Sequence, residues 1–400
     1  MIACPETLSF NKAGWSWRLR DSSLLEPWFD EYLAGNTEGM QAVNSGKDII
    51  RALSYNRNLL IRSYHPKRTI AKLKSRMTPK AKDEFEASQL LEDMNIPCLE
   101  CLGWGRRGPD SICVFNELPN SMSAREFWFS GLASDAQDLR KGYLIELARF
   151  IARLFAAGLH HPDLRLARLI VSGDPFSFLV AEPNGFSRPQ TLETPAKLAM
   201  LRMIGELRGE INIGEAAAII MYTSFEQDGG KAAELWKGII RHETDAIEAS
   251  WPKRRSQILK ADPRYCAVAP NGFIVRCCID GVPALSPEDL DPAGLVRFDR
   301  LDFSGKPNEA LRLWLLSCKL MLHRIRHRAP MIMETDSNGR PIALHFERHD
   351  GIVAGSQLSI DEFIDRCLMA GIKRGELDSN IDIFDSRLEI ADIRKLSLEV

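Results

Sequence analysis

Two stretches of this chain follow one plan. Residues 84–118 contain EFEASQLLEDMNIP and GRRGPDSICVFNEL; residues 313–348 contain LWLLSCKLMLHRIRHRAP and DSNGRPIALHFER. Each has an aromatic near the start of a helical pattern (Phe85, Trp314) and an isoleucine eleven residues later (Ile96, Ile325). A proline follows, then two strand-like runs around a polar turn, closing near Glu117 and Glu347. A repeat restricts the fold sharply, because each copy has to bury an apolar face in the same way. The unit here is a helix followed by a hairpin.

The surrounding sequence fills in that unit. Residues 39–64 read as strands, with a turn at Asn44-Ser45-Gly46 and an apolar run NLLIRSY of strand length. A basic stretch, HPKRTIAKLKSRMTPK, leads into a helix in which Phe85, Ser88, Leu91 and Met94 recur at helical spacing, and Ile96-Pro97 stops it. After about residue 122 the character changes. LRKGYLIELARFIARLFAAGL is a strongly apolar helix, SFLVAEPNGF reads as a short buried strand, and helices are expected at 195–209, 213–224 and 229–248. Three segments result: a β-rich 1–122, a helical 123–265, and 266–400, which contains the second copy.

Bulk properties exclude several classes. Four hundred residues exceed one small core. Apolar content of 45% and charged content of 26% are those of an ordinary globular chain. A net charge of −2 offers no footprint for bulk nucleic-acid binding. No run approaches the length of a membrane-spanning helix, and MIACPETLSF lacks the pattern of a secretory signal. Nine scattered cysteines fit a reducing compartment. Cys98 and Cys101 form a C-x-x-C, but the adjacent Cys277-Cys278 makes a poor second pair for zinc. His323 and His327 lack the glutamate of a zincin motif and read as surface or packing residues.

The chemistry concentrates at LHHPDLRLARLIV, 159–171, where an apolar helix runs into His161-Pro162-Asp163 and then into a strand. Phosphoryl transfer needs a cation on the phosphates, a carboxylate holding that cation, hard oxygens for metal, and a carboxylate to orient the attacking hydroxyl. In kinase-like folds these come from a lysine on the third strand, a glutamate on the helix, a loop H-x-D-x-x-x-x-N, and an aspartate after the next strand pair.

With LLIRSY, KAKDEFEASQLLEDMNIP, CLGWG, GLHHPDLRLARLIV, FLVAEPNGF and the basic WPKRRSQILK in this order, residues 35–265 resemble the lipopolysaccharide kinase family. Its Kdo and heptose kinases have a protein-kinase-like fold. The resemblance implies an α+β, two-lobed molecule, with a small β-rich N-lobe and a helical C-lobe, followed by a second N-lobe-like segment. It implies Asp163 as the catalytic carboxylate and His161 as the loop histidine. Arg62, Glu84 and Glu117 would hold ATP, and Glu182 would hold Mg²⁺. The acceptor would be a lipopolysaccharide core sugar or lipid-linked saccharide, met in the cytoplasm at the inner-membrane surface.

Three positions depart from the family. Arg62 replaces the lysine, and its planar fork does not substitute for a compact ammonium without rearrangement. Arg168 replaces the metal-binding asparagine, and Glu182, followed by Pro183-Asn184, replaces the metal-binding aspartate. A glutamate still offers hard oxygens to Mg²⁺. Asn44-Ser45-Gly46 is the only candidate for a glycine-rich phosphate loop. In the second copy Leu313 takes the place of Glu84, and no second catalytic loop is expected, which suits a docking or structural role. Three functions follow: an ATP-dependent sugar kinase, a pseudokinase acting as a binding module, and, fitting less well, a phosphotransferase for another small hydroxylated molecule such as an aminoglycoside or choline.

Overall fold

The computed structural model describes residues 7–20, 27–36, 41–44, 49–54, 57–118, 121–132, 137–172, 176–260, 266–268, 273–276, 298–325, 327, 329–336, 338–347, 360–377, 380–384, 387–390 and 393–396. The tip of the turn expected at Asn44-Ser45-Gly46, and the Cys277-Cys278 pair, lie outside them. The fold is mixed α+β and separates into two compact units: Met1–Phe127 with Gly142–Met203, and Trp128–Lys141 with Ile204–Val400. None of the described helices is long and apolar enough to cross a membrane.

The first unit is built on β1 (Leu8–Lys12), β2 (Trp15–Leu19), β3 (Gln41–Asn44), β4 (Ile49–Ser54), β5 (Arg57–Tyr64), β6 (Cys101–Arg107) and β7 (Asp110–Asn116). They form one antiparallel sheet in the order β1-β2-β6-β7-β5-β4-β3. Alternation along β5 decides what meets what, since successive side chains point to opposite faces. Leu59 and Ile61 join Trp15, Trp17, Leu19 and Phe29, the last on α1 (Pro27–Leu33). Leu60 packs on the other face with Ala81, Phe85, Cys113 and Phe115, under α3 (Lys80–Asp93). Arg62 and Tyr64 share that face by parity. Between β5 and α3 lies α2 (Thr69–Met77), which buries no residue.

After the sheet come β8 (Met122–Ser123), α4 (Ala124–Glu126), α5 (Gln137–Ala156), the hairpin β9 (Leu169–Ser172) and β10 (Ser177–Val180), and α6 (Thr194–Leu201). The 195–209 helix expected from sequence is α6 followed by a 3₁₀ stretch to Leu207. Val180 closes back on the connection between α3 and β6: its amide donates to the Pro97 carbonyl and its carbonyl accepts from the Leu99 amide, both at 2.9 Å.

In the second unit α7 (Ile213–Tyr222) and the long α8 (Gly229–Leu259) lead to β11 (Cys266–Val268), β12 (Phe273–Arg276), β13 (Phe298–Asp302), α9 (Pro307–Leu322), β14 (Pro330–Thr335) and β15 (Pro341–Glu347). Their sheet runs β11-β12-β14-β15-β13. This is the order β1-β2-β6-β7-β5 again, with every pairing antiparallel in both sheets.

The likeness continues past the sheets. Asn95 and Arg324, just beyond the two helices, have positive φ of 55° and 57°. Arg153 on α5 donates to the Asn95 carbonyl, and Arg366 on α10 (Ile360–Met369) donates to the Arg324 carbonyl. Gly158 and Gly371 end those helices in the left-handed region, at φ 67° and 89°. Cys98 makes a parallel bridge to Val180, and His327 one to Ile390, the last residue of the hairpin β16 (Ile381–Phe384) and β17 (Arg387–Ile390). Each unit is therefore sheet, helix, hairpin, second helix, loop and terminal hairpin.

Candidate functional site

The first unit places most of the residues singled out in its sequence close together. Parity on β5 turns Arg62 toward α3, where Glu84 occupies the buried side of the helix. The guanidinium Nη1 lies 3.4 Å from Glu84 Oε1, with side-chain exposures of 8% and 2%. The Arg62 guanidinium also lies 4.7 Å from the centre of the Phe115 ring. Burial disfavours charge on both partners. It raises the Glu84 pKa, against the pull of Arg62. It works to lower that of Arg62, but Glu84, Tyr64 and Glu182 outweigh it and the net direction is up. Tyr64, two residues along the same strand face, is pushed well up by burial and then by the Glu84 charge. Arg62 Nε and Glu84 Oε2 are buried without a hydrogen-bond partner among the described residues.

The loop between α5 and β9 supplies the second group. His161 is buried, at 2% exposure. Its Nδ1 accepts the Asp163 amide at 3.0 Å, which leaves the proton on Nε2 facing the Asn184 carbonyl at 3.0 Å. Burial first, and then the Arg168 charge, push its pKa down to about 4 against the helping carbonyl of Asn184, so the ring is neutral. Gly185 makes the close approach possible: at φ 98°, a Cβ there would lie 2.8 Å from His161 Nε2. Asp163 itself is exposed, and its carboxylate accepts from Arg165 Nε at 2.7 Å.

Arg168 connects this loop to the next strand pair. The β9–β10 hairpin brings the chain back so that the Ala181 amide donates to the Arg168 carbonyl at 2.7 Å. The guanidinium Nη1 lies 3.2 Å from His161 Nε2 and 3.5 Å from the Asn184 carbonyl, while its Nε lies 3.9 Å from Glu182 Oε2. Glu182 in turn acts electrostatically on both Arg62 and Glu84. Arg62, Glu84, Glu182, Arg168 and His161 thus form one linked set, with Asp163 at its exposed edge.

Glu117 is placed elsewhere. Its amide pairs with the Asn58 carbonyl at 2.8 Å, near the start of β5. That is four residues from Arg62, roughly 13 Å along the strand. Tyr64, Arg165 and Asn184 belong to the site and were not singled out by motif. Two had a signal: Tyr64 shares strand parity with Arg62, and Arg165 follows Asp163 by two residues. Cys98 and Cys101 turn to different partners, Ser88 at 3.7 Å and Cys113 at 3.8 Å, and do not converge.

In the second unit the register gives Arg62 a counterpart. Arg62 pairs with Cys113 and Asp302 with Ala343, and these partners each stand four residues before Glu117 and Glu347. Asp302 and Leu313 therefore replace Arg62 and Glu84. The loop also has a positional counterpart, without the residues of a catalytic loop. Counting from Gly158 and Gly371, Arg374 and Glu376 stand where His161 and Asp163 do. Asn380, buried, directly precedes β16 as Arg168 directly precedes β9.

No family model and no curated protein matches the chain. Among solved structures, the PknI kinase domain of Mycobacterium tuberculosis, a double mutant, aligns with a TM-score of 0.33 and 9% identity, covering 50% of this chain and 93% of that one.

Proposed function

We propose that the first unit is a kinase-like module that binds the phosphates of a nucleotide through arginine side chains, within a lipopolysaccharide-kinase-like protein whose phosphotransfer is lost or much reduced. The strand order and the Arg62–Glu84 pair support the kinase-like reading. β5 is the third strand of the β3-β4-β5 meander, and α3 is the helix that follows it, the two places from which such folds draw their cation and its carboxylate.

The observation that carries the loss of transfer is the position of Arg168. It lies 3.9 Å from Glu182, the carboxylate expected to hold Mg²⁺. A cation about 4 Å from a bound ion is repelled by roughly 4 kcal/mol per unit charge at an effective dielectric near 20. The donor set thus does not fit Mg²⁺ while Arg168 stays in place. It fits phosphate better: Arg62 has a buried Nε with no hydrogen-bond partner among the described residues, and Arg168 is partly exposed. The second unit, with Asp302 and Leu313 in place of the ion pair, is proposed as a docking or structural element.

One observation favours a working sugar kinase instead. The Asp163 carboxylate is exposed on a loop whose backbone is held by His161, where a sugar hydroxyl can reach it. Melting temperature with ATP, with and without Mg²⁺ or a chelator, separates the readings, because a ligand that binds only the folded state stabilises it. A rise of a few degrees with ATP that is indifferent to Mg²⁺ is expected, with metal dependence appearing in Arg168→Asn. A rise that requires Mg²⁺ in the unaltered protein, together with phosphate transfer to a Kdo- or heptose-containing acceptor, supports the working kinase. No response to ATP under either condition removes both nucleotide readings.

A further inference from the structure

We propose that α2 docks the first unit on an anionic lipid surface. Residues 65–80 hold six Lys or Arg side chains (Lys67, Arg68, Lys72, Lys74, Arg76 and Lys80) and no Asp or Glu. The helix Thr69–Met77 buries none of its residues. Its apolar side chains lie open instead, with Ile70 85%, Leu73 63% and Met77 78% exposed. Scattered apolar side chains on a surface are ordinary, but three on one short helix are a pattern.

Helix geometry arranges them into a face. At about 100° per residue, Ile70, Leu73 and Met77 fall within an arc of roughly 60°, and Lys74 and Arg76 flank it on either side. Ser75 lies roughly 170° from the middle of that arc. Its hydroxyl donates to the Pro109 carbonyl at 2.5 Å, in the turn between β6 and β7. The helix is therefore tethered by the side opposite its apolar stripe, and the stripe points away from the sheet. Arg106 and Arg107, exposed beside the same turn, add to the cationic rim. The neighbouring acids are Asp110, 3.2 Å from His65, and Asp83, which feels Lys74 weakly after Lys82.

A cationic helix with an open apolar stripe matches the boundary between anionic headgroups and acyl chains. The stripe enters the boundary and the lysines meet the headgroup charge. Nucleic acid or a purely acidic protein surface would use the cations and leave the three apolar side chains in water. The proposal does not depend on the nucleotide reading of the Arg62–Glu84 site.

The test is co-sedimentation of the full chain with phosphatidylcholine vesicles, with and without about a third phosphatidylglycerol. Binding to the anionic vesicles only, weakened by added salt, is expected. Lys74→Glu with Arg76→Glu should reduce partitioning at least ~10-fold, given that each cation near such a surface is worth roughly a factor of five. Leu73→Gln should reduce it several-fold while leaving the melting temperature unchanged. Equal binding to neutral vesicles, no binding to either, or variants that partition like the parent protein would overturn the assignment. So would capture by polyglutamate as strong as that by vesicles and insensitive to Leu73→Gln.

Discussion

The two helix-and-hairpin units share a backbone plan and differ in what the helix puts against its sheet. In the first, α3 buries Glu84 over Arg62 on the adjacent strand. In the second, α9 buries Leu313 and Trp314, and the strand offers Asp302 at the corresponding pairing. Even the small contacts run in parallel. Ser88 on α3 meets Cys98 at 3.7 Å, and Ser317 on α9 meets His327 at 2.6 Å, ten residues along in each case. A plan this similar does not need the ion pair to form. The pair in the first unit is thus a feature that the fold tolerates and does not require.

That contrast can be broken most sharply at Arg62. Arg62→Met leaves Glu84 buried without its cation and should cost about 3–5 kcal/mol in urea unfolding. Adding Glu84→Leu, which imitates the second unit, should recover most of the loss, because well-packed apolar residues often replace a buried ion pair at little cost. If the two single losses simply add in a double-mutant cycle, the pair is not coupled and the comparison fails. Next in size, Leu313→Ala should destabilise the second unit by about 3 kcal/mol through the cavity it leaves. A change below about 1 kcal/mol would mean that the site collapses and that Leu313 is not a packing centre.

The most gradual effect is one of pH, spread over more than two units, and here the two units behave alike. His161 and His323 are each held down to about 4 from an ordinary 6.5, chiefly by burial. For His323 the adjacent Glu248, 2.9 Å away, works in the opposite direction. Below 6.5 the unfolded chain takes up protons that the folded chain refuses. The stability from these rings is therefore complete above that pH and lost as pH falls toward 4. We expect up to about 3 kcal/mol per histidine over that window. Glu84, whose pKa is raised, contributes with the opposite sign, gaining stability as it protonates. His161→Gln should flatten the acid limb of the stability profile, and an unchanged slope would mean that His161 is not held neutral.

Much of the first unit was legible in its residues. Ile-Pro after a helix marks the end of α3, and the run NLLIRSY marks β5 as a strand. The repeat was visible as far as residue 348 because aromatic and apolar positions recur at fixed intervals there. Its continuation was not. The second loop replaces His161 and Asp163 with Arg374 and Glu376, and it is shorter before its hairpin. A motif search sees residue types, whereas the backbone keeps Gly371, the Arg366 hydrogen bond and the bridge to Ile390.

The sequence by itself determined the helix and strands around the repeat and the presence of a cation and an acid at the right intervals, but not β1, β2, α1 or α2. Only tertiary structure decided that Arg168 reaches Glu182 and His161, since a hairpin return and a glycine turn at Gly185 bring together residues that share no element. It also decided that Glu117 stands apart and that the stripe on α2 remains uncovered. Periodicity is a property of neighbours along the chain. Charge pairing and exposure depend on which distant segments fold back, and that is settled by packing.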